Sequence, residues 1–311
     1  MLIEVHPQLR KLLEAARGKP GMADTAITDA RMAMAQRTAN RARGPEVYEV
    51  RNLAVSGPGG DIPLRLYRPR NAKGIAVVFH GGGWLMGGID SFDATSRHLA
   101  NDSGVAIASV DYRLAPEHPF PAPLDDAWAA TQWVARNGES LEVDTSNLAV
   151  LGESAGGNLA AVVCLLARDA NFPKISRQVL VYASVDARLQ TSSLDEFSNG
   201  YLQTKRDVEY AFRTYGVGST VAAEDWRVSP LLAKSLEHLP PALLISAGCD
   251  TVRDDTYAYT RRLLESGVTA VHASYPGMLH TFFGMRGTIP DAEIAQKQAA
   301  AALRDAVSGP R

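Results

Sequence analysis

Cysteine is almost absent from this chain, with two, Cys164 and Cys249, among 311 residues. So few thiols exclude a disulfide-stapled scaffold and fit a reducing compartment. Cys164 stands in an apolar helical run and reads as a small core hydrophobe. An excess of one charge is missing as well. The 32 Lys and Arg nearly balance the 34 Asp and Glu, leaving a net charge of −2, so no global field draws nucleic acid or anionic lipid. Long hydrophobic runs are also lacking. The longest, residues 159–167, falls far short of the ~20 residues a membrane span requires. No secretory leader is expected, because Glu4 and His6 interrupt the only apolar stretch near the start. Residues 1–45 hold eight Lys/Arg against four Asp/Glu. Those four acids argue against an organellar transit peptide, and an amphipathic helical segment is expected instead. Together these absences predict a cytoplasmic protein with no membrane span and no nucleic-acid partner. No group of His, Cys and Asp has metal-ligand spacing, so neither a metal nor an organic cofactor is expected.

What the chain does have is core material. Hydrophobic residues make up 46% of it, enough for one large α/β domain or two small ones. Leu9, Leu12, Leu13 and Ala16 recur at helical spacing, and Met32, Met34 and Ala35 continue the pattern until Gly44-Pro45 stops it. Over residues 47–68 the apolar positions alternate, as in Ile62, Leu64 and Leu66. With Gly57-Pro58-Gly59-Gly60 between the halves, that predicts a β-hairpin. Beyond it, short apolar runs at 75–79, 105–110, 148–151, 178–182, 242–247 and 270–275 alternate with helical stretches. The helices are expected at 92–102, 122–137, 155–169, 253–266 and 291–306. Such alternation predicts an α/β fold whose mostly parallel sheet is covered by helices on both faces, with the hairpin at one edge. Residues 186–228 break the rhythm. They show no strand, and residues 205–215 read as a helix bearing Tyr210, Phe212 and Tyr215. The expected organisation is an α/β domain at 46–185 and 229–311, with a helical cap segment at 1–45 and a cap insertion at 186–228 folding over the carboxyl ends of its strands.

Gly152-Glu153-Ser154-Ala155-Gly156 has the G-x-S-x-G form of a nucleophile elbow, with a strand before it and a helix after it. Ser154 is therefore the candidate nucleophile, placed where a helix N-terminus favours a developing anion. His80-Gly81-Gly82-Gly83 follows the strand at 75–79. Consecutive glycines let backbone N–H groups face a substrate with no side chain in the way. Gly82 and Gly83, with the N–H of Ala155, are the expected oxyanion donors. Gly81 is assigned to the turn, and His80 to orienting the loop by a hydrogen bond. A phosphate-binding loop does not fit, since neither a Lys-Ser/Thr pair nor G-x-G-x-x-G spacing is present.

In an α/β-hydrolase the order is Ser, acid, His, which leaves His238, His272 and His280 as candidate bases. His238 sits in a polar turn before Pro240-Pro241, and His272 falls inside a strand. His280 follows Pro276-Gly277-Met278-Leu279, read as a loop at a strand's carboxyl end, and is the choice. Asp250 follows the strand at 242–247 through Gly248-Cys249 and is the expected acid, accepting the Nδ1 proton of His280. Asp186 is the fallback. Asp254 and Asp255 read as charges complementing a helix N-terminus.

Several stretches resemble the hormone-sensitive-lipase-like branch of the α/β-hydrolases, the bacterial family IV carboxylesterases. They are HGGGW at 80–84, DYRLAPEHPFPAPLDD at 111–126, GESAGG at 152–157, SAGCDTVRDD at 246–255 and YPGMLHTFF at 275–283. The resemblance runs from about residue 45 to the C-terminus. It implies a triad of Ser154, Asp250 and His280, an oxyanion hole of Gly82, Gly83 and Ala155, and a cap made by the N-terminal helices and the 186–228 insertion. The chain departs from the family pattern at Glu153, Thr251 and Thr281, where many relatives carry Asp, Pro and Gly. These changes remove no group the chemistry uses, and they leave substrate preference more open than reaction type.

The expected function is a serine carboxylesterase that cleaves short- to medium-chain esters through an acyl-enzyme. Trp84, Leu85, Phe197, Tyr201 and Leu202 are its candidate pocket walls. An amide, carbamate or lactone hydrolase would use the same triad. A non-catalytic small-molecule receptor, like the gibberellin receptors that resemble this family, would lack the triad His. The expected partner is a small-molecule ester, and the strand at 270–275, near a sheet edge, offers a surface for a homodimer.

Overall fold

The computed structural model describes residues 4–307. Two helices come first, α1 (Pro7–Ala16) and α2 (Ile27–Ala39), then the hairpin β1 (Glu49–Gly57) and β2 (Gly60–Arg68). Strands and helices alternate from there as β3 (Ile75–Phe79), α3 (Asp93–Ser103), β4 (Ala106–Val110), α4 (Ala122–Arg136), the short α5 (Gly138–Leu141), β5 (Leu148–Glu153), α6 (Ala155–Ala170) and β6 (Ile175–Val181). The interruption holds α7 (Ser192–Glu196) and α8 (Lys205–Tyr215). The chain then adds β7 (Ala242–Cys249), α9 (Arg253–Glu265), β8 (Ala270–Leu279) and α10 (Pro290–Val307).

One eight-stranded sheet forms in the order β1-β2-β4-β3-β5-β6-β7-β8. The β1–β2 and β2–β4 pairs are antiparallel and the remaining pairs parallel. Continuous apolar strands such as β3 make sense here because both faces are covered. Ile75, Val77 and Phe79 enter the core beneath α4, α6 and α9, while Ala76 and Val78 enter the opposite core beneath α3 and α10. The sheet's winding reverses at β3, with β4 on one side and β5 on the other. Open α/β sheets bind ligands in the crevice outside the carboxyl ends at such a reversal. In this chain that crevice lies between the His80 loop and Ser154.

One expected boundary needs correction. Pro276-Gly277-Met278-Leu279 is not a free loop but the irregular end of β8, whose pairing skips between Ala247–Tyr275 and Cys249–Leu279. Proline is tolerated there because β8 is an edge strand.

The N-terminal helices are held largely by polar contacts. The N–H of His6 donates to the Gly277 carbonyl at 3.0 Å. From α2, the Arg31 guanidinium donates to the carbonyls of Leu85 and Ala115 at 2.8 and 2.9 Å. The same group grips the Glu117 carboxylate at 2.7 and 2.8 Å. Thr204 and Asp207 form a capping box on α8, and the other Asp207 oxygen accepts the Ala23 N–H at 2.8 Å.

Candidate active site

β5 delivers Ser154 into a turn at φ 55°, ψ −118°, a conformation that costs a non-glycine residue energy and persists only when its surroundings fix it. Here the Ser154 N–H donates to Val181 at 2.9 Å, and its carbonyl accepts the Asn158 N–H at 3.1 Å. The Asn158 amide in turn ties the Ser184 and Val228 carbonyls, each at 2.8 Å. At Gly156 a Cβ would run into the carbonyls of Phe79 and His80, so only glycine lets the elbow lie against the end of β3.

The Ser154 Oγ lies 2.9 Å from His280 Nε2, and His280 Nδ1 lies 2.7 Å from Asp250 Oδ2. All three residues are buried, exposing 6%, 3% and 1% of their surfaces respectively. The second Asp250 oxygen accepts the Val252 N–H at 3.1 Å. Burial opposes a charge on His280, but the Asp250 charge and hydrogen bond, with the Glu153 charge, outweigh it and hold the pKa above the ordinary value. With the proton on Nδ1 facing Asp250, the neutral ring presents Nε2 as an acceptor to the serine hydroxyl.

The other candidates lie elsewhere. His272 pairs with the Ser246 hydroxyl at 2.8 Å and meets Tyr257 edge-on. Asp186 is engaged by Arg188 at 2.7 Å. Asp254 and Asp255 do stand in the first turn of α9, but Asp255 is buried and receives the Val185 and Asp186 N–H groups at 2.9 and 3.2 Å. Burial, with the nearby Asp186 and Asp250 charges, pushes its carboxyl up to about 8 against those hydrogen bonds.

In the glycine loop the turn is made by Gly82 at φ 120° and Gly83 at φ 64°, not by Gly81. The Gly82 carbonyl accepts the Leu85 and Met86 N–H groups, both at 3.1 Å. The Gly82 and Gly83 N–H groups donate to no acceptor among the described residues, and both glycines line a cavity together with Ser154, Ala155 and His280. His80 stacks on Tyr112 with ring centres 4.2 Å apart, and its Nδ1 lies 2.8 Å from the Gly81 carbonyl. Burial lowers its pKa, so a neutral ring donates there. Glu153 accepts the Tyr182 hydroxyl at 2.6 Å, and Tyr182 packs against the His280 ring at 4.7 Å. Burial raises the Glu153 pKa against hydrogen bonds from Tyr182 and the Gly81 N–H.

The cavity measures about 270 Å³. Trp84, Leu202, Val208, Ala211 and Phe212 supply its apolar wall, while Arg37, Gln203 and Asp207 supply polar groups. Trp84 is fixed by stacking on Tyr215 at 4.3 Å. Three expected walls are not part of it. Leu85 is wholly buried in the core, and Phe197 packs edge-on against Tyr201 at 5.0 Å within the opposite core. Val208, Ala211 and Phe212 were open to discovery in the sequence, since with Tyr215 they recur at helical spacing on one face of α8. Met22, Arg37 and Gln203 reach the cavity from distant segments, and no local pattern announces them.

The family described as alpha/beta hydrolase fold matches residues 76–284. The carboxylic ester hydrolase LipN of Mycobacterium tuberculosis is 43% identical over 251 residues, covering 78% of this chain and 66% of that protein. The esterase LipI of the same organism is 35% identical over 312 residues, covering 98% of this chain and 96% of its own. Among solved structures, a hyperthermophilic esterase from the archaeon Pyrobaculum calidifontis superimposes with a TM-score of 0.92 at 36% identity. That match covers 98% of this chain and 100% of the other.

Proposed function

The chain belongs to the α/β-hydrolase family, in its hormone-sensitive-lipase-like branch, and from that premise we infer that it is a serine carboxylesterase in which Ser154, His280 and Asp250 form the triad. LipN carries carboxylic ester hydrolysis in its name and LipI carries ester hydrolysis. The observation that carries the residue assignment is the continuous chain of hydrogen bonds from the buried Asp250 through His280 to Ser154, the last two of which line the cavity. His280 bonded to Ser154 also speaks against a non-catalytic receptor.

In this reading Ser154 Oγ attacks the ester carbonyl while His280 Nε2 takes its proton. The N–H groups of Gly82, Gly83 and Ala155 receive the oxyanion, each donor contributing about 2.7–4 kcal/mol to the transition state. His280 then protonates the departing alcohol, and a water activated by the same ring releases the acid from the acyl-enzyme. Asp250 keeps the Nδ1 proton in place throughout and stabilises the imidazolium as it forms.

Residues 1–45 and 186–228 act as the cap over residues 46–185 and 229–311, a division supported by Met22, Arg37 and the α8 residues on the cavity wall. The modest cavity favours short- to medium-chain esters. The outer side of β8 offers an edge for a homodimer, beside the exposed Tyr257, Leu264 and Val271. A cytoplasmic location fits two buried cysteines that form no disulfide. No helix among the described residues is long and apolar enough to cross a membrane.

The test is Ser154→Ala. It should fold, lose labelling by a fluorophosphonate probe and lose hydrolysis of p-nitrophenyl acetate. Labelling that survives the substitution would remove Ser154 from the mechanism. Light scattering of the same unsubstituted preparation separates a dimer from a monomer.

A further inference from the structure

Thr251 follows the catalytic acid and is 1% exposed. Its hydroxyl lies 3.4 Å from Asp250 Oδ1 but only 2.6 Å from Oε1 of Gln203, the acceptor it serves better. Gln203 belongs to a small excursion of the chain between α7 and α8. The Lys205 N–H closes that excursion by donating to the Ser198 carbonyl at 3.1 Å. Both Leu202 and Gln203 line the cavity that holds Ser154 and His280. Leu202 does so at φ 55°, in the left-handed region that side-chain-bearing residues rarely adopt. Such a conformation persists where the surroundings over-determine it, and the Thr251 hydroxyl is a fixed point outside the excursion. Thr281, the other threonine that departs from the family pattern beside a triad residue, borders the same cavity.

We propose that the Thr251–Gln203 hydrogen bond is a latch that holds the Leu202–Gln203 wall and so sets how long an ester arm the site admits. Thr251 acts through Gln203 and touches no reacting atom. It is a positioning residue for specificity. With the latch intact, the wall stays where a strained backbone puts it, and a long arm meets Leu202. With the latch gone, Leu202 is free to leave its left-handed conformation, and the cavity gains depth on that side. The inference rests on the esterase reading and deepens it.

Thr251→Val keeps the shape of a buried side chain and removes the donor, Thr251→Ser keeps the donor, and Gln203→Met removes the acceptor from the other side without shortening a side chain that lines the cavity. Each protein is assayed for kcat/KM on p-nitrophenyl esters of increasing acyl length and on acetates of increasing alcohol length. In one of the two series, Thr251→Val and Gln203→Met should both raise the ratio of long-arm to acetyl or methyl ester by about three- to tenfold, within the range one hydrogen bond controls. Thr251→Ser should keep the original ratio. The acid limb of the pH profile should not move, whereas an effect passing through Asp250 and His280 would shift it. Unchanged ratios in both series, or a changed ratio accompanied by a moved acid limb, would overturn the latch. Failure of the esterase reading looks different, because the unsubstituted protein would then hydrolyse no ester in either series.

Discussion

The two sides of the cavity are secured by different forces. On the sheet side β3, β4 and β7 are buried along their whole length, and β5 is buried up to Glu153. The glycine loop, Ser154 and Asp250 sit where β3, β5 and β7 end, so packing on both faces fixes them, whereas His280 follows the edge strand β8. On the cap side α1 buries only Leu9 and α2 only Ala30. Although α8 packs Val208, Phe212 and Tyr215 into the core, the two N-terminal helices and the Leu202–Gln203 segment rely on a few polar ties through Arg31, Asp207 and Gln203. The groups proposed for bond-making thus sit where displacement disturbs a core, and the segment proposed to set selectivity where it breaks only a few hydrogen bonds.

That contrast can be broken from either side. The largest effect should come from Asp250→Asn, which leaves the shape but spoils the tautomer. A loss in kcat of about 10⁴-fold is expected, the size known for this change in an unrelated serine triad. The pH profile should move with it. His280 must be neutral to accept a proton, so kcat/KM falls as pH drops through its pKa, which Asp250 and Glu153 hold above the ordinary value despite burial. Without the Asp250 charge, burial dominates and the acid limb should shift to lower pH. An unmoved limb would show that Asp250 does not govern His280.

A smaller loss is expected from Gly82→Ala. The residue sits at φ 120°, and the added methyl would meet the Met86 carbonyl, so the loop must shift. A fall in kcat of about 10²- to 10³-fold, the value of one oxyanion donor, should appear for every ester alike. Selective loss with long esters alone would place Gly82 in the wall and not in the oxyanion hole.

The smallest effect should follow Arg31→Ala on the cap side. It cuts the hydrogen bonds from α2 to Leu85, Ala115 and Glu117. The melting temperature should fall by about 2–4 °C, as for roughly 1 kcal/mol in a domain somewhat smaller than this chain. Turnover of a small acetate should stay within about threefold, the size of a sub-kcal/mol change in barrier. If Arg31→Ala slowed chemistry as much as Gly82→Ala, the distinction between the two sides would fail.

The sheet was legible because its signals are local. Period-two and period-3.6 patterns place β2, α4 and α8 close to their observed limits. Ser154, Asp250 and His280 stand out because each follows a strand and the fold sends those ends to one crevice. What stayed hidden depends on tertiary direction. Leu85 and Phe197 are as apolar as Trp84 and Leu202, and nothing in their spacing says which of them points inward to a core. The contact of Glu153 with Tyr182 joins the ends of neighbouring strands β5 and β6, a register the sequence does not state. Gly81, Gly82 and Gly83 are identical as letters, and only the backbone angles show that Gly82 and Gly83, not Gly81, make the turn.

The bare backbone at Gly156 has one more effect. It rests against the carbonyls at the end of β3, so the start of α6 behind Ser154 and the strand leading to the Gly82 and Gly83 amides meet along a seam with no room for a side chain. Their alignment is therefore set by that contact together with the β3–β5 ladder, which pairs Phe79 with Gly152, and not by the length of the chain between them. Changes of length in the surface turn at residues 142–147 would leave one edge of that seam unmoved relative to the other.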